Sequence, residues 1–97
     1  MKEILDFKFS HEAEEDLVNL YNFLVLQGEE QAFDVIFSRF EKALNLIRTF
    51  PKMAPWDTDL EARHFLVPKT QFKIIFEENK NFLNILRIFH VAQKWED

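Results

Sequence analysis

Ninety-seven residues, of which 47% are hydrophobic, 30% charged and 15% aromatic, amount to one domain, residues 1–97, and exclude a two-domain enzyme built around an interdomain cleft. The absence of cysteine removes disulfides, thiolate nucleophiles and thiolate metal sites together, and makes the cytoplasm the expected compartment. The net charge of −5 is concentrated: residues 11–30 hold Glu12, Glu14, Glu15, Asp16, Glu29 and Glu30 without a Lys or Arg, and no cationic cluster of the kind that phosphate neutralisation requires stands out, so direct DNA binding is not expected.

In chain order, ILDFKF (residues 4–9) alternates Leu5, Phe7 and Phe9 with Asp6 and Lys8 at the period of a half-buried strand. Ser10 then serves as an N-cap, its hydroxyl accepting a first-turn N–H while the acids of HEAEED meet the positive helix end. Those acids are expected on a solvated helix face. Ala13, Leu17, Leu20, Tyr21 and Leu24 share one stripe, which predicts a buried helix face with Tyr21 in the core. Gly28, the only glycine, suits the left-handed turn that ends this helix. A second helix carries Phe33, Ile36, Phe37, Phe40, Leu44 and Ile47 on its stripe and stops after Phe50, at Pro51. The short link predicts an antiparallel helical hairpin.

Residues 51–62, PKMAPWDTDLEA, lack periodicity and read as an irregular surface connection. The period then becomes two. Residues 63–68, 72–77 and 82–90 read as strands joined by turns at 69–71 and 78–81. The order β-α-α-β-β-β predicts an α+β domain: an antiparallel sheet with the N-terminal helical hairpin packed on one face and the first strand at an edge.

If Phe72, Ile74 and Phe76 face the helices, Lys73, Ile75 and Glu77 point away. Strict alternation then puts Ile85, Arg87 and Phe89 on one face of the last strand and Leu86, Ile88 and His90 on the other, so both faces are apolar. Such a strand needs a second cover, either a partner polypeptide or a return of residues 91–95 or of the 51–62 connection. No metal site is expected, because His11, His64 and His90 fall on separate elements, and one glycine does not build a phosphate-binding loop, so no cofactor is predicted. No apolar run reaches the roughly 18 residues of a membrane span, and the opening MKEILDFKFS has no signal-peptide core.

The start FSHEAEEDLVNLYNFL, the second helix ending in Phe50 and Pro51, Arg63 at the start of a strand and the closing ILRIFHVAQKW together resemble the RelE/ParE superfamily of toxins from bacterial type II toxin-antitoxin modules. The resemblance runs over essentially the whole chain, and the ending with Gln93 and Trp95 looks closest to ParE-like, plasmid-stabilisation members. It implies the same β-α-α-β-β-β fold and a cognate antitoxin whose flexible segment wraps the toxin as helix or strand. It also implies one of two activities: inhibition of DNA gyrase by protein contact, as in ParE, or ribosome-dependent mRNA cleavage, as in RelE. A third reading is a relic that binds antitoxin without being toxic.

Metal-free RNA cleavage by a neighbouring 2′-OH needs a base, a cation for the phosphorane and an acid for the leaving oxygen. By the resemblance, Lys73 stands where nuclease members place an arginine, keeping the charge without the bidentate fork. His90 matches a strand-end histidine that some nuclease members use and ParE-like members also carry; from the residues themselves it reads as a hydrogen-bonded strand terminus. Arg87, among Ile85, Ile88 and Phe89, reads as an anchor in a carboxylate pair. Arg63 reads as a ligand for an antitoxin or target carboxylate, or as the partner of Glu61. Lys73, Arg87 and His90 are thus the catalytic candidates of a nuclease. For antitoxin or target binding the candidates are Arg63, Trp56, Lys73, Arg87, His90, Gln93, Lys94 and Trp95, the two tryptophans as amphipathic anchors. A net acidic chain is poorly matched to ribosomal RNA, so the expectation is gyrase inhibition with no catalytic residue, and the ribosome and mRNA are the alternative partners.

Overall fold

A computed structural model describes residues 6–91 and shows β1 (Asp6–Phe9), α1 (His11–Leu26), α2 (Gln31–Thr49), β2 (Trp56–Asp57), β3 (Ala62–Leu66), β4 (Phe72–Glu78) and β5 (Phe82–His90). Ser10 caps α1 as its position predicts: Oγ accepts the Ala13 N–H at 3.0 Å. The same hydroxyl donates to the Leu86 carbonyl at 2.8 Å, so the cap also ties the helix to the last strand. At the other end Gly28 has φ of +70°, the left-handed conformation that a side chain would disfavour. Residues 27–30 join the helices, and Tyr21 of α1 meets Phe33 of α2 edge-on with 5.3 Å between ring centres. Tyr21 is 45% exposed at this seam rather than in the core. The core itself gathers Phe40, Leu44 and Ile47 of α2 against Ile74, Phe76, Leu83, Ile85 and Ile88 of the sheet, with Ala13 of α1.

The sheet order is β1-β5-β4-β3-β2, and β2 through β5 pair antiparallel as a meander. β1 lies at the edge, but parallel to β5, so the sheet is mixed rather than antiparallel throughout. No hairpin turn links β1 to β5; the whole helical hairpin and the meander intervene, and nothing in such a crossover enforces antiparallel pairing. The 51–62 connection is also more ordered than its lack of periodicity suggests. Pro51–Met53 form a 3-10 turn, and Trp56 and Asp57 pair with Arg63 and Ala62 as a two-residue strand too short to leave a period.

One extra residue reorganises β5. The register runs from Phe72 opposite His90 to Ile75 opposite Arg87, then resumes with Phe76 opposite Ile85, which leaves Leu86 as a bulge. Ile85 and Ile88, three apart, consequently both face the helices. The expected grouping of Ile85 with Arg87 and Phe89, and of Ile88 with Leu86, fails at this single insertion, which a period count does not see. On the opposite face the register forms one row of His64, Ile75 and Arg87 and another of Leu66, Lys73 and Phe89. Residues 51–62 do not cover that face; they extend the sheet beyond β3. Val91 is exposed and donates its N–H to the Gln71 carbonyl, while residues 92–95, the other expected cover, lie outside the described residues.

Ser10→Ala removes a helix cap and a tie to β5 in one change. Urea unfolding should show a loss of about 1–2 kcal/mol, whereas Val18→Ala on the exposed side of α1 should stay within about 0.5 kcal/mol.

Candidate functional site

β1 pairs with residues 82–85, so among the described residues β5 beyond Ile85 has no strand on that side. The first turns of α1 occupy the place. The Ser10 N–H reaches the Ile85 carbonyl at 2.9 Å, the Ser10 hydroxyl reaches that of Leu86, and Asp16 Oδ2 accepts the Ile88 N–H at 2.8 Å. A sheet edge that would otherwise offer bare backbone groups is closed by the Ser10 backbone and hydroxyl and by the Asp16 carboxylate. Asp16 also receives Arg87 as a fork, Nε to Oδ2 at 2.8 Å and Nη2 to Oδ1 at 2.9 Å.

The Asp16 side chain is only 12% exposed, unlike the solvated acids with which its sequence groups it. Its spacing explains this, three residues after Ala13 and four before Leu20, on the flank of the buried stripe. The pairing holds the Arg87 guanidinium above its ordinary, already high pKa, first through the hydrogen bonds to Asp16, against some desolvation, with Coulombic support from Asp16, Glu12 and Glu15. Arg87 is therefore charged at any pH the fold survives.

Between α1, α2 and the end of β5 opens a groove of about 610 Å³. Leu20, Phe23 and Leu24 of α1, Ile36 of α2, and Phe72, Ile88 and Phe89 of the sheet form its apolar lining. Its polar groups are Asp16, Asn19, Arg87 and His90. The His90 ring stands edge-on to Phe72, 5.1 Å between centres.

Of the candidates named from sequence, Arg87 and His90 thus both line the groove, and Lys73 does not: it stands between Leu66 and Phe89, one row along the sheet from Arg87. Arg63 pairs with Glu78 rather than Glu61, Nε to Oε1 at 2.9 Å, and gives Nη1 to the Ala54 carbonyl at 2.8 Å. The register accounts for the choice, because Arg63 sits opposite Phe76 and so shares a face with Glu78, while Glu61 lies in the preceding turn with φ of +51°. The Arg63 guanidinium lies beside the Trp56 ring, which is 55% exposed. Gln93, Lys94 and Trp95 fall outside the described residues. Among the described residues no group of three or more His, Asp or Glu is placed to hold a metal ion.

Residues 7–95 match the model of a family described as the ParE toxin of the type II toxin-antitoxin system, parDE. The chain belongs to the ParE toxin family. Its fold is also that of a solved structure titled as a chromosomal ParDE TA system from P. aeruginosa, with a TM-score of 0.77 over 92% of this chain and 98% of that chain. The two sequences are 15% identical, so this likeness is one of fold. No curated protein sequence matches this one. As a ParE-family toxin the chain is the toxin of a toxin-antitoxin pair, with an antitoxin as its family partner. Among the described residues no helix is long and apolar enough to cross a membrane.

Sequence reasoning missed the contribution of Phe23 to the toxin's groove. Phe23 is 57% exposed, outside the stripe that packs inward, and Leu26, which does not line the groove, is 83% exposed. A signal was present: within LVNLYNFLVL, residues 17–26, only Asn19 and Asn22 are polar, and a helix apolar nearly all round is either buried or an interaction surface.

Asp16→Ala strips an acceptor from three donors and should destabilise the toxin by about 2–4 kcal/mol in urea unfolding. Asp16→Asn, whose amide oxygen can still accept the Ile88 N–H, should lose clearly less.

Proposed function

We propose that this ParE-family toxin acts on DNA gyrase by protein contact and is silenced by an antitoxin that covers the apolar surface around α1. The observation that carries the reading is the engagement of both strand arginines by carboxylates: Arg63 with Glu78 and Arg87 with Asp16. A cation that stabilises a phosphorane has to give its charge to phosphate, and Arg87 can do so only by leaving an enclosed carboxylate without its partner. The exposed Phe23, Leu26 and Trp56 suit contact with protein, and the net charge of −5 opposes approach to ribosomal RNA.

The second reading, ribosome-dependent mRNA cleavage, has one observation in its favour. The register brings His64 and Lys73 to neighbouring rows of the face away from the helices, so an imidazole and an ammonium stand there close to the Arg87 that Asp16 holds.

Purified toxin assayed against gyrase and against translating ribosomes separates the two. The gyrase reading expects supercoiling to fail at micromolar toxin, to recover with antitoxin, and to fail equally with Lys73→Ala. Cleavage of mRNA that drops about 100-fold or more in Lys73→Ala, with gyrase untouched, would replace it. A chain that affects neither and does not arrest growth contradicts both.

A further inference from the structure

Along α1 an apolar middle lies between two acidic ends. Val18 and Val25 are exposed on the side of α1 turned away from the groove, whereas Phe23, which lines it, is exposed, as is Leu26 three residues on. Before them come Glu12 and Glu15, and after them Glu29 and Glu30, all exposed as well. No Lys or Arg occurs from residue 11 to residue 30, and the last turn of α1 has no basic residue although the helix dipole would favour one there. Arg87 is the cation among the groove's lining, and its charge is met by Asp16. Glu12 and Glu15, both close enough to act on Arg87, are therefore left in excess, with His11 3.5 Å from Glu15.

The geometry points to a basic, amphipathic polypeptide segment as the occupant of this groove. Its apolar side chains enter among Phe23, Leu24 and Ile36, and its Lys or Arg residues meet Glu12 and Glu15 at one end and Glu29 and Glu30 at the other. The inference rests on the reading that an antitoxin covers this surface and adds the antitoxin's chemistry at that contact. Charge complementarity selects the occupant, because an acidic segment would set like charges against these four carboxylates with no Lys or Arg on the same stretch to relieve them. At about 1.5 Å rise per residue the two acidic ends stand roughly 20–25 Å apart. Matching cations are then about 15 positions apart on a helix laid along α1, or about seven apart on an extended segment.

Two synthetic peptides of about sixteen residues, identical in their apolar positions and carrying lysine or glutamate at both ends, test this with the full chain by fluorescence anisotropy. The lysine peptide should bind about tenfold or more tightly than the glutamate peptide at low salt, and the gap should close at about 0.5 M NaCl. The double variant Glu12→Lys, Glu15→Lys should lose most of that preference, and Phe23→Asp should weaken both peptides; both variants alter exposed residues, and circular dichroism verifies their folding. Equal binding of the two peptides, preference for glutamate, or binding of neither overturns the inference. So does an antitoxin that neutralises the toxin through an acidic segment, an outcome that leaves the antitoxin reading intact; an antitoxin that does not bind at all defeats that reading instead.

Discussion

Asp16 gathers three donors, the Ile88 N–H and both arms of the Arg87 fork, at the point where β5 runs past the end of β1 and would otherwise present an open edge. With Ser10 bonded to the carbonyls of Ile85 and Leu86, this fixes the start of α1 against the last strand. The bulge at Leu86 makes the arrangement possible: it brings Arg87 and the Ile88 N–H to one acceptor while Ile85 and Ile88 both remain in the core. A helix secured in this way needs little of its own surface for packing. Ala13 and Leu24 are buried, and much of the remaining apolar surface of α1 stays outside.

That surplus is the basis of the functional reading. Covering a large apolar side chain such as Phe23 or Leu26 contributes about 1.5–3 kcal/mol, so a segment lying in the groove gains affinity from the middle of α1. The acids at either end add selectivity and association rate more than affinity. The two arginines that a phosphate chemistry would recruit instead brace the sheet, Arg87 against α1 and Arg63 against Glu78 and the Ala54 carbonyl. Stability and site are thereby coupled, since the pair that anchors the helix also lines the groove.

Local signals were legible in the sequence and non-local ones were not. Ser10 and Gly28 mark the ends of α1 through their own backbone chemistry, and the period of two marks β3, β4 and β5 to within a residue or two. The parallel docking of β1 and the two-residue β2 depend on neighbours distant in sequence, and the bulge at Leu86 is one inserted residue inside an unbroken apolar run. For the site, Arg87 reads as half of a carboxylate pair because it interrupts apolar residues, yet nothing local separates Asp16 from Glu14 or Glu15 as the partner. Only the turn of the helix, which sets Asp16 beside the Ala13–Leu20 stripe, makes that distinction. Tyr21 fails for the complementary reason: its place on the stripe is real, but the stripe is wider than the surface available to bury it.

The proposed contact with the antitoxin lies along α1 and the end of β5. Amide hydrogen exchange of the toxin alone and in complex with its antitoxin tests this most directly. Exchange should slow on binding in residues 16–26 and 86–91 and remain unchanged in β2 and β3. Protection confined to β2, β3 and β4, with α1 exchanging as it does in the isolated toxin, would contradict it.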